Sequence, residues 1–435
     1  MQLRNCGCEE IIMKCSRYGR ESTSRITRLP GGAPALAALV ALVVLAAAAA
    51  RAQTLTLLHP FTGGGDGGQP YAGVNLIAGS LYGTTSYAGL HGYGTVYQLH
   101  HRGSGWVLST LYSFTGNSDG GAPVARVTAG PGGILYGTTY SGGYRGGNCS
   151  AYGCGTVFSL HEQPTACLSA ICPWVETVLY AFHGGSDGAY TGYDDDLVFD
   201  QAGNIYGTTP GDSNGNDGTV WELSPSNGGW TETVLHRFTS GETPWAGVTF
   251  DRVGNLYGTT VLGGIGYGTV YELTPSGSGW SYQTLYEFRG SDDGFYPEGG
   301  VVFDSAGNLY GTTSNGSGEG GTVFEMQPAG SGWTFTTIYS AFPSPFGPQD
   351  TPTLDAAGNV YGTVFNEGYG NFGVVFKLTP SGGGWTETNL AIFANGSEDA
   401  PYGSVVLDGE GNVYGTTLYG GGGSGDNGTV WEITP

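Results

Sequence analysis

Charge is what this sequence has least of. Only 11% of its 435 residues are Asp, Glu, Lys or Arg, against about a quarter in an ordinary soluble domain. Basic residues are the scarcer sign, 14 Lys and Arg facing 36 Asp and Glu for a net charge of −22. Seven of those basic residues and three of the acidic ones lie in the first 52 positions, so the remainder carries −26. Such a surface repels phosphate backbones and anionic headgroups, which excludes nucleic acid as a partner. Helical periodicity is missing everywhere after Gln53, which excludes helix bundles and alternating α/β folds. Hydrolytic and zinc motifs are missing too: no H-E-x-x-H, no G-x-S-x-G and no Cys/His nucleophile pattern occurs. The seven histidines (His59, His91, His100, His101, His161, His183 and His236) are scattered without a common register.

Glycine and aromatics are present in excess. With 83 Gly and 21 Pro, these two residues make up about 24% of the chain, a share that ordinarily signals disorder or low complexity. Disorder is excluded because 39% of residues are hydrophobic and 13% aromatic, enough to build a core. Collagen is excluded because the glycines do not fall at every third position.

The N-terminus reads as an export signal. Arg4, Lys14, Arg17, Arg20, Arg25 and Arg28 precede the apolar run Ala35–Ala50, and Ala50-Arg51-Ala52 supplies small residues around a cleavage point before Gln53. That order is the secretory pattern, with Met13 as an alternative start. Sixteen Ala-rich residues are short for a membrane span of about 20, so a cleaved peptide over 1–52 and a mature chain without a span are expected. Cys6, Cys8 and Cys15 would leave with it. The four remaining cysteines, Cys149, Cys154, Cys167 and Cys172, suit disulfides in an exported protein. Both pairs are spaced C-x4-C, unlike the C-x-x-C knuckle of a zinc site.

One unit then repeats seven times. Y-G-T-T begins at Tyr82, Tyr136, Tyr206, Tyr257, Tyr310 and Tyr414, with Y-G-T-V at Tyr361, at spacings of 54, 70, 51, 53, 51 and 53. A Gly-rich loop and G-T-V-aromatic follow each time, the variant being G-V-V-F at Gly373. Trp106, Trp174, Trp230, Trp280, Trp333 and Trp385 each open a further alternating segment. Every segment has the period of a strand. Four short strands in about 53 residues indicate a propeller blade. Seven blades are predicted, all-β, with four antiparallel strands each, over residues 53–435. The last repeat ends at its third strand, while T-L-T-L-L-H-P-F (Thr54–Phe61) matches the fourth-strand pattern. The N-terminal strand is therefore expected to complete the C-terminal blade and close the ring. A closed ring leaves no exposed blade at either end, and a monomer is expected.

The run G-N-L-Y-G-T-T, a Gly-rich loop and G-T-V-F-E-L-x-P resembles the tandem repeat of the choice-of-anchor GloVer-containing proteins, over Thr54–Pro435. The resemblance implies an exported bacterial repeat protein and brings no activity with it. Members end in an anchoring segment. None is seen before Pro435, so free secretion is expected over tethering.

Function is expected on the face carrying the two long variable loops, those between fourth and first and between second and third strands, around the channel mouth. The fourth-to-first loops share F-x-G-G-x-D-G, giving Asp66, Asp119, Asp187, Asp292 with Asp293, and Asp399. A carboxylate ring binding Ca²⁺ is one reading; turn chemistry by Asp-Gly is the other, and repetition favours it. Asp200, Asp251, Asp304, Asp355 and Asp408 open D-x-x-G-N hairpins. The Tyr of Y-G-T-T is read as packing, with its Gly admitting close approach of adjacent blades. Departures from the repeat mark candidate chemistry. Asp194, Asp195 and Asp196 follow Tyr190 and Tyr193 in the third blade's expanded loop, and Glu242, Glu298, Glu319 and Glu367 are irregular acids on the same face. Opposite faces for the two cysteine pairs predict Cys149–Cys154 and Cys167–Cys172.

The sequence thus predicts a binding or structural surface rather than an enzyme, without a required cofactor. Tyr87, Tyr93, Tyr140, Tyr144, Tyr267 and Tyr369 suit a glycan or protein ligand. The alternative is a polysaccharide-active hydrolase or lyase using Asp194, Asp195, Asp196 and Glu298.

Overall fold

Alternating apolar residues and Gly-containing turns, D-x-x-G-N in five of the seven, fold each repeat into a meander. The computed structural model of the protein describes residues 53–435 except 104, 150–151, 163–173, 212–216, 240, 278, 291, 317–319, 341, 343–345, 366–372, 394–399 and 422–425. The N-terminal 52 residues, Cys167, Cys172, Glu319, Glu367, Tyr369 and Asp399 lie outside the described residues. In the fourth repeat Thr249–Phe250, Leu256–Thr260, Thr269–Ser276 and Gly279–Glu287 pair in order, all antiparallel. We call these strands a to d. Seven such four-stranded sheets form a seven-bladed β-propeller, and among the described residues no helix is long and apolar enough to cross a membrane.

The a–b turn shows how composition becomes geometry. Asp251 accepts the backbone N–H groups of Val253 and Asn255, both at 2.9 Å, and the Asn255 side-chain amide at 2.9 Å. Gly254 between them sits at φ +95°, a conformation that favours glycine. Asp200, Asp304, Asp355 and Asp408 make the same bonds.

The ring closes as the repeat count requires. Thr54–Pro60 pairs antiparallel with Thr429–Thr434, from Thr54 opposite Thr434 to Pro60 opposite Thr429, and becomes strand d of the seventh blade. The core lies between blades. The Phe that ends strand d of one blade packs against the aromatic of G-T-V-aromatic in the next, in all seven interfaces and at centroid distances of 5.0–5.7 Å. Phe61, carried by the N-terminal strand, makes the seventh pair with Tyr97. Each pair contributes about 0.5–1.5 kcal/mol beyond its buried area.

The glycine of Y-G-T-T does a different job from the one expected of it. Gly83 is the cross-strand partner of Tyr97 within its own blade, and a Cβ there would stand 2.4 Å from Tyr97 Oη. Gly258 and Tyr271 repeat the arrangement at 2.4 Å. The glycine makes room for a ring on the neighbouring strand, not for the next blade.

The two threonines divide the remaining work. The first reaches the next blade: the Thr84, Thr208, Thr259, Thr312, Thr363 and Thr416 hydroxyls donate to the carbonyls of Ala125, Ala246, Gly299, Asp350, Gly403 and Pro70. The second pairs within its blade with the Thr of G-T-V, as in Thr209–Thr219 at 2.8 Å. Six blades hold this buried hydroxyl pair. The sixth blade substitutes both partners at once, placing Val364 opposite Val374, so no hydroxyl is left alone. Thr209→Val should therefore cost about 1–3 kcal/mol by stranding Thr219, whereas Thr209→Val with Thr219→Val should be close to neutral. Urea titration of the two variants checks this, and equal losses would contradict it.

Candidate functional site

The b–c loops and the d–a loops share one face, joined by backbone bridges such as Gly68–Tyr87, Gly121–Ser141 and Phe295–Asn315. The a–b turns meet on the opposite face, where the Arg252 guanidinium donates to the Ser305 carbonyl of the adjoining turn. Each d–a loop ends by leading into an a strand near the ring axis. One register position in these lead-ins, four residues before the a strand in blades two to seven, holds Val124, Asp194, Trp245, Glu298, Gln349 and Tyr402, with Tyr71 equivalent in the first blade. All but Val124 line one shallow recess, together with Tyr193. Val124 is 4% exposed.

Aromatic rings wall this recess. Tyr71 lies 4.4 Å from Tyr402 and 5.1 Å from Tyr193, and Tyr193 lies 5.8 Å from Trp245. All four are half-buried, unlike the fully buried rings between the blades.

Beneath the rings is a polar hub that crosses the axis. Asp194 of the third blade accepts from the Thr351 backbone N–H of the sixth at 3.0 Å and from the Thr351 hydroxyl. Thr351 Oγ1 accepts the Gly300 N–H at 2.7 Å, and its carbonyl takes the Ser404 hydroxyl at 2.9 Å. Arg126, 12% exposed, donates through Nε to Asp196 at 2.8 Å. Asp195 and Asp350 are buried at equivalent positions and accept the N–H groups of Thr208 and Thr363, each at 3.1 Å. One oxygen on each of Asp194, Asp195, Asp196 and Asp350 is buried without a hydrogen-bond partner among the described residues.

Arg126 thus bonds one of these carboxyl groups, Asp196, and lies within electrostatic reach of Asp194 and Asp350. Burial, reinforced by the charge of Asp196, pushes Asp194 up to about 6, although Arg126 and Thr351 oppose the shift. Burial, reinforced by the charges of Asp196 and Asp194 at Asp195 and of Asp194 at Asp350, lifts both well above the usual carboxylate range, and burial raises Glu298 as well. For Arg126 burial acts to lower the guanidinium, but Asp196 and Asp194 outweigh it and hold the proton more firmly. Chemically, the mouth offers apolar ring faces, one amide and three acids, Asp194, Glu298 and Asp350, with raised affinity for a proton.

The residues singled out from sequence separate here. Asp194 and Glu298 reach the recess, whereas Asp195 is spent on the Thr208 backbone and Asp196 on Arg126. The three aspartates do not act as a unit. Tyr140 stacks on Tyr190 at 4.9 Å and lies 5.7 Å from Tyr193, beside the recess but outside the residues that line it. Tyr87 and Tyr93 are exposed on the first blade's b–c loop, Tyr144 on the second's and Tyr267 on the fourth's. Tyr93 and Tyr267 cover the glycines Gly116 and Gly290 of adjoining lead-in loops, and Tyr144 packs 4.5 Å from His183. The loop aspartates do not converge. Asp66, Asp119, Asp187 and Asp293 each accept the backbone N–H four residues earlier in their own loop, at 2.8–2.9 Å, and Asp292 stands beside Asp293. No group of three His, Cys, Asp or Glu side chains suited to a metal occurs among the described residues. Cys149 and Cys154 are disulfide-bonded in the second blade's b–c loop.

Tyr71, Arg126, Trp245, Gln349, Asp350 and Tyr402 were not singled out from the sequence. Their signal was there in weak form: Pro70, Pro123, Pro244, Pro297, Pro348 and Pro401 recur in the lead-ins, and the residue after each varies in type while its surroundings repeat.

The sequence matches a family described as the Gloeobacter/Verrucomicrobia repeat over residues 47–265, 148–347 and 252–435. No match was found among curated proteins. Among solved structures, an ulvan lyase of a new polysaccharide lyase family, bound to -[GlcA(1-4)Rha3S]-, is similar with a TM-score of 0.53 and 11% identity, covering 87% of this chain and 95% of its own. A second ulvan lyase structure of that family has a TM-score of 0.53 and 12% identity, over 83% and 92%. A gluconolactonase from Xanthomonas campestris reaches a TM-score of 0.41 at 14% identity, over 89% and 92%. At such identities the likeness is one of fold.

Proposed function

Since the chain belongs to the Gloeobacter/Verrucomicrobia repeat family and builds seven blades from one unit, its specificity must lie where the units differ, and we propose that it is an exported, monomeric binding module whose axial mouth takes a neutral carbohydrate. One observation carries this reading: a single register position, otherwise free to vary, gathers Tyr71, Trp245 and Tyr402 with Glu298 and Gln349 around one recess. Sugar rings present C–H faces that pack on aromatics and hydroxyls that need a few placed polar groups. The recess itself has room for about one water, so a sugar would stack across the ring faces at its rim rather than sit inside it.

Charge selects among carbohydrates. The chain after residue 52 carries −26, and Arg126 is already bonded to Asp196. An anionic glycan would meet repulsion without a counter-ion. The polysaccharide named for the ulvan lyase carries carboxylate and sulfate, so the shared fold supports polysaccharide handling but not that substrate. No cation is required by this reading, because the loop aspartates are occupied by their own turns.

A glycan array probed with and without Ca²⁺ should give signals on neutral saccharides that Trp245→Ala abolishes and Ca²⁺ leaves unchanged. Binding confined to sulfated or uronic glycans would sink the proposal. A second reading is catalytic. It rests on Asp194 and Glu298, two acids with raised proton affinity lining one recess, the pattern expected of paired carboxylates. It predicts saccharide cleavage that Asp194→Asn and Glu298→Gln abolish while binding persists.

A further inference from the structure

We infer that the mouth is the middle of an extended site, and that the ligand is a neutral glycan chain several sugars long, laid across the axis along a continuous row of rings. This rests on the carbohydrate reading above and adds the length and path of the ligand. Phe365 of the sixth blade lies 5.4 Å from Tyr402, Tyr402 lies 4.4 Å from Tyr71, and Tyr71 lies 5.1 Å from Tyr193. Tyr193 then lies 5.7 Å from Tyr140 of the second blade, which stacks on Tyr190 at 4.9 Å. The row begins on one side of the ring and ends on the other. It crosses where Tyr71 of the first blade meets Tyr193 of the third directly, because Val124, the residue at that register in the intervening blade, is small and buried.

These rings are not needed to hold blades together. Tyr140 and Phe365 directly follow Y-G-T-T and Y-G-T-V, where the other blades carry Ser86, Pro210, Val261, Ser314 and Leu418. Packing at that point is thus satisfied by residues of any character. The inter-blade rings, by contrast, are aromatic in every repeat and buried. The six rings of the row are each half-buried, which leaves part of each one facing solvent. A row of half-exposed rings at spacings of 4.4–5.7 Å offers repeated apolar platforms, and a polymer of ring-shaped units is the ligand that would use them in succession. The surrounding acidity again requires that polymer to be uncharged.

The test is a length series. Neutral gluco-, manno- and xylo-oligosaccharides, from monosaccharide to hexasaccharide, are titrated by calorimetry against the full chain, Tyr140→Ala and Phe365→Ala. Affinity should rise with length and then level off. Each variant, at its own end of the row, should weaken the hexasaccharide about tenfold and leave the monosaccharide unchanged. Thermal melts confirm that at least one of the two is folded. Affinity that is flat with length, or a variant that weakens short and long ligands alike, overturns the extended site while leaving the mouth standing. Failure of every saccharide to bind the full chain ends the carbohydrate reading and this inference with it.

Discussion

Deleting residues 53–61 should abolish cooperative folding of the propeller, although it removes only one strand and the Phe that follows it. Without Thr54–Pro60 the seventh blade keeps three strands, and Thr429–Thr434, which carries the buried Val430 and Trp431, is left as an open edge. Phe61 leaves its pocket against Tyr97, so the interface between the seventh and first blades loses its aromatic pair. Loss of a buried Phe alone costs about 3–5 kcal/mol. The lost strand pairing adds to that, against a total stability of about 5–15 kcal/mol. Moving the same residues to the other terminus should restore the fold. The fourth blade joins strands c and d through Ser276-Gly277-Ser278-Gly279, and the same four residues placed between Pro435 and Gln53, with a new start at Thr62, reproduce that hairpin. Expected results are an aggregating or non-cooperative deletion and a permutant that melts like the parent. A deletion that melts cooperatively at the parent temperature would refute the closure argument.

Arg126→Met should produce the second large loss, and the loss should depend on pH. The guanidinium is the cation that Asp196 and Asp194 share on the axis. Removing one partner of a buried pair leaves uncompensated charge and costs about 3 kcal/mol. The sign follows from protonation. Asp194 stands at about 6 even with Arg126 present, above its value in an unfolded chain, and without Arg126 it must rise further. A carboxyl whose folded pKa is raised contributes stability that is full below the unfolded value and is lost as pH rises through the folded one. The variant should therefore be severely weakened at pH 8 and recover much of the difference at pH 5. Burial drives His236 down to about 4, which lowers stability as pH falls. That effect is common to variant and parent and cancels in their difference. Guanidinium titrations of both proteins at the two pH values decide the matter. An equal loss at pH 5 and pH 8 would show that Arg126 acts through packing alone.

The architecture was legible because its signals are local. Strand period, the D-x-x-G-N turns and the short C-x4-C loop each act within a few residues, and the Asp251 turn and the Cys149–Cys154 bridge form as that locality demands. Closure was legible by counting, since a blade short of one strand and a spare strand at the other end have one solution in a ring. The Y-G-T-T glycine was misjudged because its role is set by a cross-strand neighbour: only pairing shows that Gly83 faces Tyr97.

The sequence by itself determined seven blades, their strand order, the closing strand and an acidic surface averse to anions, because each follows from patterns that repeat along the chain. The tertiary structure decided the rest. Tyr71, Asp194, Trp245, Glu298, Gln349 and Tyr402 lie roughly a blade or more apart in sequence and become neighbours only when the ring brings the lead-ins to one axis. The same convergence gave adjacent aspartates different fates, one facing the recess, one bound to a backbone N–H and one to Arg126, because successive residues of an extended segment point in different directions. The physical reason is symmetry: repeats specify what is alike in every blade, and a site on the axis is made from what is not.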